Sequence, residues 1–443
     1  MSTARDVRYA DSGGLQVAYE VIGNGPLDIV IVTDLASNVD VLHDHVFILH
    51  FIEQMCEIGR VIYLDPRGVG LSDPLDRLPP LEEWVDDIRV VLDDLGVEQA
   101  AVVGHGYGAQ LGLLFAAVHP GRTKAVVSIN GYARLRAAPD YPAGLTPDLE
   151  AWVVRQVETL WGSGQVLAWA NTEPSGAPVG TPELWARVER ASATPRRAAR
   201  RQALSFDIDI RSVLPTIAVP TLVVQSVADR YIRREHADHL VSNIPGARLV
   251  ELPGGHAPMM TGVVDELADA IAGFLAGASY RRVTDRALMT VAFTDIVDST
   301  RRAAEAGDRS WRSLLELHDA ITRHEVEVAR GRVVKFTGDG VMASFDGPAR
   351  AVECVRTIGE RLESAGLSIR AGVHTGEVEI RDGDIGGIAV HIASRISALA
   401  AAGETLTSST VRDLVAGSGL VFADRGEHVL KGVPDAWHLY VVA

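Results

Sequence analysis

Lysine is nearly missing from this chain: of its 42 basic residues only Lys124, Lys335 and Lys431 are lysines, and the rest are arginines. Positive charge is short overall, with a formal net charge of -16. That balance lacks the clustered basic surface that nucleic acid or an anionic membrane requires, so neither is an expected partner. Cysteine is scarcer still. Cys56 and Cys354 are too few and too far apart in sequence for a disulfide framework or a zinc site, which fits a reducing compartment and two packed thiols. No apolar run is long enough to span a bilayer, and the N-terminus has no basic region followed by an apolar stretch. The expected location is cytoplasmic. No repeat of fixed period and no low-complexity segment is found.

What is present describes a folded enzyme-sized chain. At 443 residues, 47% hydrophobic and 23% charged, it exceeds the usual size of one hydrophobic core, so two domains are expected. Residues 15–130 alternate β-branched runs (QVAYEVIG, DIVIVTD, RVIYLD, AAVVGHG, AVVSING) with helical patterns (WVDDIRVVLDDLG, GAQLGLLFAAVHP), the signature of a mostly parallel sheet with crossover helices. From about Ala133 to Val213 the strand signal gives way to Trp, Arg and Ala at helical spacing, which predicts a helical cap. TLVVQSVAD and ARLVELPG resume the sheet, and a helix over Val264–Ala276 closes the domain. The expected division is 1–278, a polar linker 279–287, and a second domain 288–443. That domain reads strand (MTVAFTDI), helix (Trp311 to Ala329), hairpin (GRVVKFTGDGVMASF), helix (ARAVECVRTIGERLE), strand (SIRAGVHTGEVEI), helix (AVHIASRISALA) and further short strands.

In the second domain two carboxylates stand where metal ions would be useful: Asp295 at the end of an apolar strand and Asp339 in the tight turn KFTGDG. Two aspartates holding Mg²⁺ or Mn²⁺ neutralise a triphosphate, activate an attacking oxygen and stabilise a leaving one. Either residue alone is more often a turn device. In order and spacing, however, TVAFTDIVDST, VVKFTGDG and IRAGVHTGEV resemble the class III nucleotidyl cyclase catalytic domain. The resemblance runs from Leu288 to Tyr440 and includes the closing LKGVPDAWHLY. It implies an α+β domain with a ferredoxin-like core that converts ATP to cyclic AMP.

The resemblance carries over residue by residue. It implies metal ligation by Asp295, Asp339 and the backbone of Ile296, with two divalent ions as cofactors. Lys335, four residues before Asp339, and Asp384 are implied as the adenine readers. A donor facing N1 and an acceptor facing the N6 amino group suit adenine, and guanine reverses the pattern. His391 and Arg395 are four apart on one helix and share a face. Arg395 matches the family's transition-state arginine, whereas His391 replaces the usual ribose-orienting Asn. That exchange predicts reduced or pH-sensitive activity, because an imidazole is bulkier and its protonation state is not fixed by sequence; a merely solvated or packed His391 is the alternative. Arg370 and Lys431 resemble the β/γ-phosphate contacts. Two of the three lysines therefore fall on motif positions, and an ammonium does not replace a guanidinium in a shaped site. The family builds each site from two protomers, so the implied partner is a second copy in a head-to-tail homodimer.

The first domain carries DPRGVGLSD, GHGYG, ADRY and PGGH, which together resemble an α/β-hydrolase over about Gln16 to Ala276. The order, elbow then acid then His, is the one that fold uses. The elbow should read G-x-S-x-G, yet its centre is Gly106. The acid Asp229 and base His256 are left without the atom they would activate. After the strand DIVIV come Thr33 and Asp34, and a carboxylate there opposes the negative charge of an acyl-transfer intermediate. The expectation is a degenerate hydrolase acting as a sensor of an unidentified small molecule or as a dimer-positioning module, with a purely structural domain as the alternative. For the whole chain the leading expectation is an adenylate cyclase. A guanylate or relaxed-specificity cyclase, or a catalytically weak binding or scaffold protein, are the other readings.

Overall fold

The computed structural model describes residues 6–75, 77, 79–171, 179–277, 286–381 and 384–443. The chain divides into two compact units, Met1–Pro79 with Glu83–Thr284, and Pro80–Glu82 with Asp285–Ala443. Residues 279–285 of the expected linker lie outside the described residues. Its last two, Arg286 and Ala287, belong instead to the first strand of the second unit. They pair with Glu379 and Val378, and Arg286 bridges Glu377 and Glu379, so cross-strand charge pairing extends the strand beyond its apolar part.

The first unit runs β1 (Val7–Asp11), β2 (Gln16–Ile22), β3 (Asp28–Val32), α1 (Val46–Ile58), β4 (Arg60–Leu64), α2 (Leu81–Asp94), β5 (Ala100–His105), α3 (Tyr107–Val118) and β6 (Thr123–Ile129). The cap supplies α4 (Pro147–Leu160), α5 (Gln165–Ala170), α6 (Pro182–Ser192) and α7 (Pro195–Asp207). Then come β7 (Thr221–Ser226), α8 (Arg234–Asn243), β8 (Arg248–Leu252) and α9 (Val264–Gly277). The sheet order is β1-β2-β4-β3-β5-β6-β7-β8; only β1–β2 and β2–β4 pair antiparallel. Strands β3, β5 and β7 are buried almost throughout, which is why they read as unbroken β-branched runs. Strands β3 and β5 are neighbours and β6 separates β5 from β7, and the loops at their C-terminal ends carry Asp34, Gly106 and Asp229 into one crevice.

The second unit contains β9 (Arg286–Ile296), α10 (Ser299–Val328), β10 (Arg332–Phe336), β11 (Gly340–Phe345), α11 (Pro348–Ser364), β12 (Ile369–Arg381), β13 (Asp384–Gly386), α12 (Ile388–Leu399), β14 (Thr405–Ser408), α13 (Ser409–Leu414), β15 (Phe422–Val429) and β16 (Ala436–Val442). Its sheet runs β10-β11-β9-β12-β14-β16-β15, with β13 paired to β12. The helical stretch α10 begins at Ser299, twelve residues before the expected start at Trp311, and is broken at Gly307 (φ 72°, ψ 157°). One apolar cluster packs α11 against Ala292, Phe345 and Val373; a second packs α12 against Val291, Met342 and Val378. The two helices thus cover opposite faces, as alternation along β9, β11 and β12 requires.

Candidate functional sites

In the second unit β9 is central, with β11 and β12 antiparallel on either side, so Asp295 stands opposite both Gly340 and Arg370. The Ile296 N–H donates to the Asp339 carbonyl at 3.0 Å, which ties the β10–β11 hairpin to the end of β9. A Cβ on Gly340 would lie 2.4 Å from the Thr294 carbonyl oxygen, so glycine is required for this approach. Two carboxylates from distant points in sequence are thereby held at adjacent strand ends. Arg370 donates through Nε at 3.0 Å and through Nη2 to Asp295 Oδ2. Its guanidinium rests on the first aspartate. This donor set, two half-buried carboxylates and backbone carbonyls, is all hard oxygen and fits Mg²⁺ or Mn²⁺; the pairing with Arg370 marks Asp295 as a carboxylate that already attracts a cation.

Lys335 Nζ lies 3.4 Å from Asp384 Oδ2, with the two side chains 49% and 60% exposed. The donor and acceptor chosen for adenine are thus neighbours on the surface of β10 and β13. On α12 the buried side is Ala389, Ile392, Ala393, Ile396 and Ser397, which leaves His391 and Arg395 on the exposed face together with Ile388 and Leu399. Arg395 Nε donates to the Lys431 carbonyl at 3.1 Å, so those two residues meet through backbone and not through the ammonium. Every candidate of this constellation falls on one unit, in three groups: Asp295, Ile296, Asp339 and Arg370; Lys335 and Asp384; His391, Arg395 and Lys431.

In the first unit the elbow survives without its nucleophile. Gly106 keeps a turn conformation of φ 54°, ψ -116° between β5 and α3. A Cβ built on it would fall 2.5 Å from Asp34 Cγ. The Asp34 carboxylate therefore fills the space a nucleophile would use. Its Oδ1 accepts the Tyr107 N–H at 3.0 Å, the donor following the elbow centre that such a fold aims at an oxyanion. Its Oδ2 lies 2.9 Å from His256 Nε2. On the other side His256 Nδ1 is 2.8 Å from Asp229 Oδ2, and Asp229 Oδ1 accepts the N–H groups of Tyr231 and Ile232 at 2.7 and 2.9 Å.

His256 is thus held between two carboxylates. Burial alone would lower its pKa, but Asp229 and Asp34 outweigh burial and raise it to about 10. Burial likewise opposes ionisation of Asp34, and the bond to His256 with the Tyr107 N–H overcomes it, bringing Asp34 to about 2. Both carboxylates favour the protonated imidazole, which works against a role as base. Ligand atoms of Asp34, His105 and His256 lie within 4.8 Å of one another, but both His256 nitrogens are taken by carboxylates, and His105 Nε2 donates to the His256 carbonyl at 2.7 Å. The ion pair accounts for the cluster without a metal. Over it opens a mostly apolar cavity of about 510 Å³, walled by Ile48, Phe51, Val157, Met259 and the cap residues Trp152 and Trp169.

The fold agrees with known proteins. Residues 58–263 match the alpha/beta hydrolase fold model and residues 283–443 match the adenylate and guanylate cyclase catalytic domain model. The first unit is 30% identical over 238 residues to "Putative carbamate hydrolase RutD" of Caulobacter sp. (strain K31), covering 49% of this chain and 81% of that protein. It is also 22% identical over 251 residues to "Karrikin insensitive 2 receptor CA" of Petunia hybrida, covering 55% of this chain and 89% of that protein. The second unit is 30% identical over 165 residues to "Putative adenylate cyclase 3" of Rhizobium meliloti (strain 1021), covering 35% of this chain but 28% of that protein. This chain belongs to the α/β-hydrolase fold family through its N-terminal unit, and its C-terminal unit matches the adenylate and guanylate cyclase catalytic domain. Among the described residues no helix is long and apolar enough to cross a membrane.

Proposed function

We propose that this chain is an adenylate cyclase, acting as a head-to-tail homodimer, in which the hydrolase-like unit senses a ligand or positions the dimer. The observation that carries the reading is the convergence of Asp295 and Asp339 at adjacent strand ends, with an exposed Lys335–Asp384 pair on the same unit. The ribose 3′-OH of ATP attacks the α-phosphorus and diphosphate leaves. Two divalent ions held by Asp295, Asp339 and the Ile296 carbonyl supply charge neutralisation at the phosphates. Arg370 turns from Asp295 to the triphosphate once that aspartate is engaged, and Lys431 adds a second cation there. Lys335 donates to adenine N1 while Asp384 accepts from N6. Arg395 stabilises charge on the reacting phosphorus, with His391 beside it on α12 toward the ribose.

Exposure supports the dimer. Lys335, Asp384, His391 and Arg395 all sit on open surface, beside the apolar Ile388 and Leu399, whereas reading a base or a transition state requires water to be excluded. A second copy supplies that enclosure. For the first unit, the nucleophile position and one oxyanion donor are both blocked by Asp34, while an apolar cavity within the size range of small-molecule sites is kept. A likeness to a protein named as a receptor supports ligand sensing. The deciding assay is cyclic nucleotide formation from ATP and from GTP, with Mn²⁺ and with Mg²⁺. Preferential turnover of ATP is expected; preference for GTP, or no product with either metal, sinks the proposal.

A further inference from the structure

Arg201, on the cap helix α7, is 5% exposed, and among the described residues its Nε, Nη1 and Nη2 find no hydrogen-bond partner. A buried guanidinium with none of its five N–H groups satisfied is exceptional, since such groups are held almost always by carboxylates or carbonyls. Its flanks are aromatic: the guanidinium carbon lies 5.3 Å from the Trp84 ring centre and 5.1 Å from that of Tyr107. These π faces favour the cation but accept none of its in-plane hydrogen bonds. The Tyr107 hydroxyl is itself buried and without a partner. The nearby acids do not answer the need. Asp34 is committed to His256 and the Tyr107 N–H, and Asp65 accepts from Ser37 and from the Val39 and Leu71 N–H groups. The neighbouring cation Arg67 is spent on Asp87, Glu83 and Ser12.

Beside Arg201 a cavity of about 40 Å³ opens between α7, the loop after β4 and the start of α2, and Arg77, Arg197 and Arg200 stand among its walls. The last three are exposed. We propose that this cavity binds the anionic end of a ligand, a carboxylate or another small oxyanion, with Arg201 as its bidentate anchor. The size, a few times what a single water molecule needs, suits one such group. A guanidinium fork and a pair of anion oxygens match in geometry as well as charge, whereas a water molecule in the same place would satisfy some N–H groups and leave the buried charge uncompensated. The rim arginines raise the local anion concentration and guide entry.

The site gives the sensing role a ligand class, yet it stands on Arg201 alone and is tested apart from cyclase output. The full chain is titrated with sodium acetate and, separately, with inorganic phosphate, at ionic strength held constant by a bulky sulfonate salt, and thermal unfolding and Trp fluorescence are followed. In the wild type one of the two anions should raise the unfolding temperature by a few degrees along a saturating curve, as mass action demands of a ligand bound only by the folded state. Arg201→Met should abolish the saturating component. Arg201→Lys, which keeps the charge but removes the planar fork, should weaken the apparent affinity several-fold, so the proposal stays open to refutation even if Arg201→Met fails to fold. No saturable response of the wild type to either anion overturns the site, as does an undiminished response in a folded Arg201→Met chain. Cyclic AMP formation with and without the bound anion then tests coupling, and its failure counts against the sensing role and not against the site.

Discussion

At the scale of single residues the decisive group is Asp34, whose carboxylate replaces an absent side chain instead of merely accompanying it. Gly106→Ser alone should give no hydrolysis of short p-nitrophenyl esters, because the new Cβ would meet Asp34 Cγ at 2.5 Å and the Tyr107 N–H stays engaged. Gly106→Ser with Asp34→Gly frees both, and His256 with one carboxylate left can accept a proton; slow, His256-dependent ester turnover is expected and is read by nitrophenolate release. The same pair sets a pH dependence. His256 has a folded pKa raised from 6.5 to about 10, so its contribution to stability is full below about pH 6.5 and is lost as pH rises toward 10. Asp34 is lowered from 3.8 to about 2, so its contribution is present above about pH 4 and is lost as pH falls toward 2. The pair therefore stabilises the first unit most between about pH 4 and 6.5. In Asp34→Asn, burial works against the charged His256 with one carboxylate fewer, and the alkaline fall in unfolding temperature should be smaller and should end at lower pH than in the wild type. An unchanged profile would mean that Asp34 does not hold the proton. Sequence reading flagged the missing nucleophile and the adverse charge at Asp34, but not that one fills the place of the other, because residues 34 and 106 meet only through the parallel pairing of β3 with β5. Arg201 was harder still: it lies in the run RRAARRQ, where only packing against Trp84 and Tyr107 separates the buried arginine from its solvated neighbours.

At the scale of elements, strands buried on both faces and helices with apolar spacing were legible, and the boundaries set by turns or charge pairing were not. Helix α1 escaped because VFILHFIEQMCEI is rich in β-branched and aromatic residues and has no side-chain cap, although its buried Ile48, Phe51, Ile52 and Met55 follow the helical period. The start of α10 escaped for another reason: its N-cap Asp298 adopts a left-handed φ of 57° and Gly307 interrupts the helix. The motif AGVHTG was legible, yet it lies wholly inside the long strand β12. Gly372 shows what that strand requires, since a Cβ there would sit 2.1 Å from Ser397 N and 2.7 Å from the Ala393 carbonyl of α12. Gly372→Ala should push α12 off the sheet, at a cost of about 1–3 kcal/mol for overpacking a filled core. Because α12 carries His391 and Arg395, cyclase turnover should fall by more than the loss of folded protein explains. Equal losses in turnover and in folded fraction, measured by activity and by circular dichroism on one sample, would detach the helix position from the chemistry.

At the scale of the whole molecule the question is whether one chain suffices. Asp295 and Asp339 are gathered by strand pairing within a unit, whereas Lys335, Asp384, His391 and Arg395 stay on open surface, so a sufficient single chain would have to perform phosphoryl chemistry in contact with bulk water. The proposed head-to-tail pair would resolve this, each copy giving its metal-binding end to the other's adenine-reading face. The arrangement has a consequence that no single-chain site shares. Asp295→Ala and Lys335→Ala should each abolish activity alone, because in either homodimer both sites lack the same part. Mixed in equal amounts and allowed to exchange, half of the dimers are heterodimers with one site carrying both defects and one carrying neither. Mixing should then restore roughly a quarter of wild-type activity, on the assumption of random exchange of subunits of a symmetric dimer. Activity should also fall on dilution in proportion to dimer lost, followed by light scattering. Two inactive variants that stay inactive when mixed, in a preparation shown to exchange subunits, would place each complete site within one chain and refute the shared site while leaving the cyclase chemistry itself to the nucleotide assay.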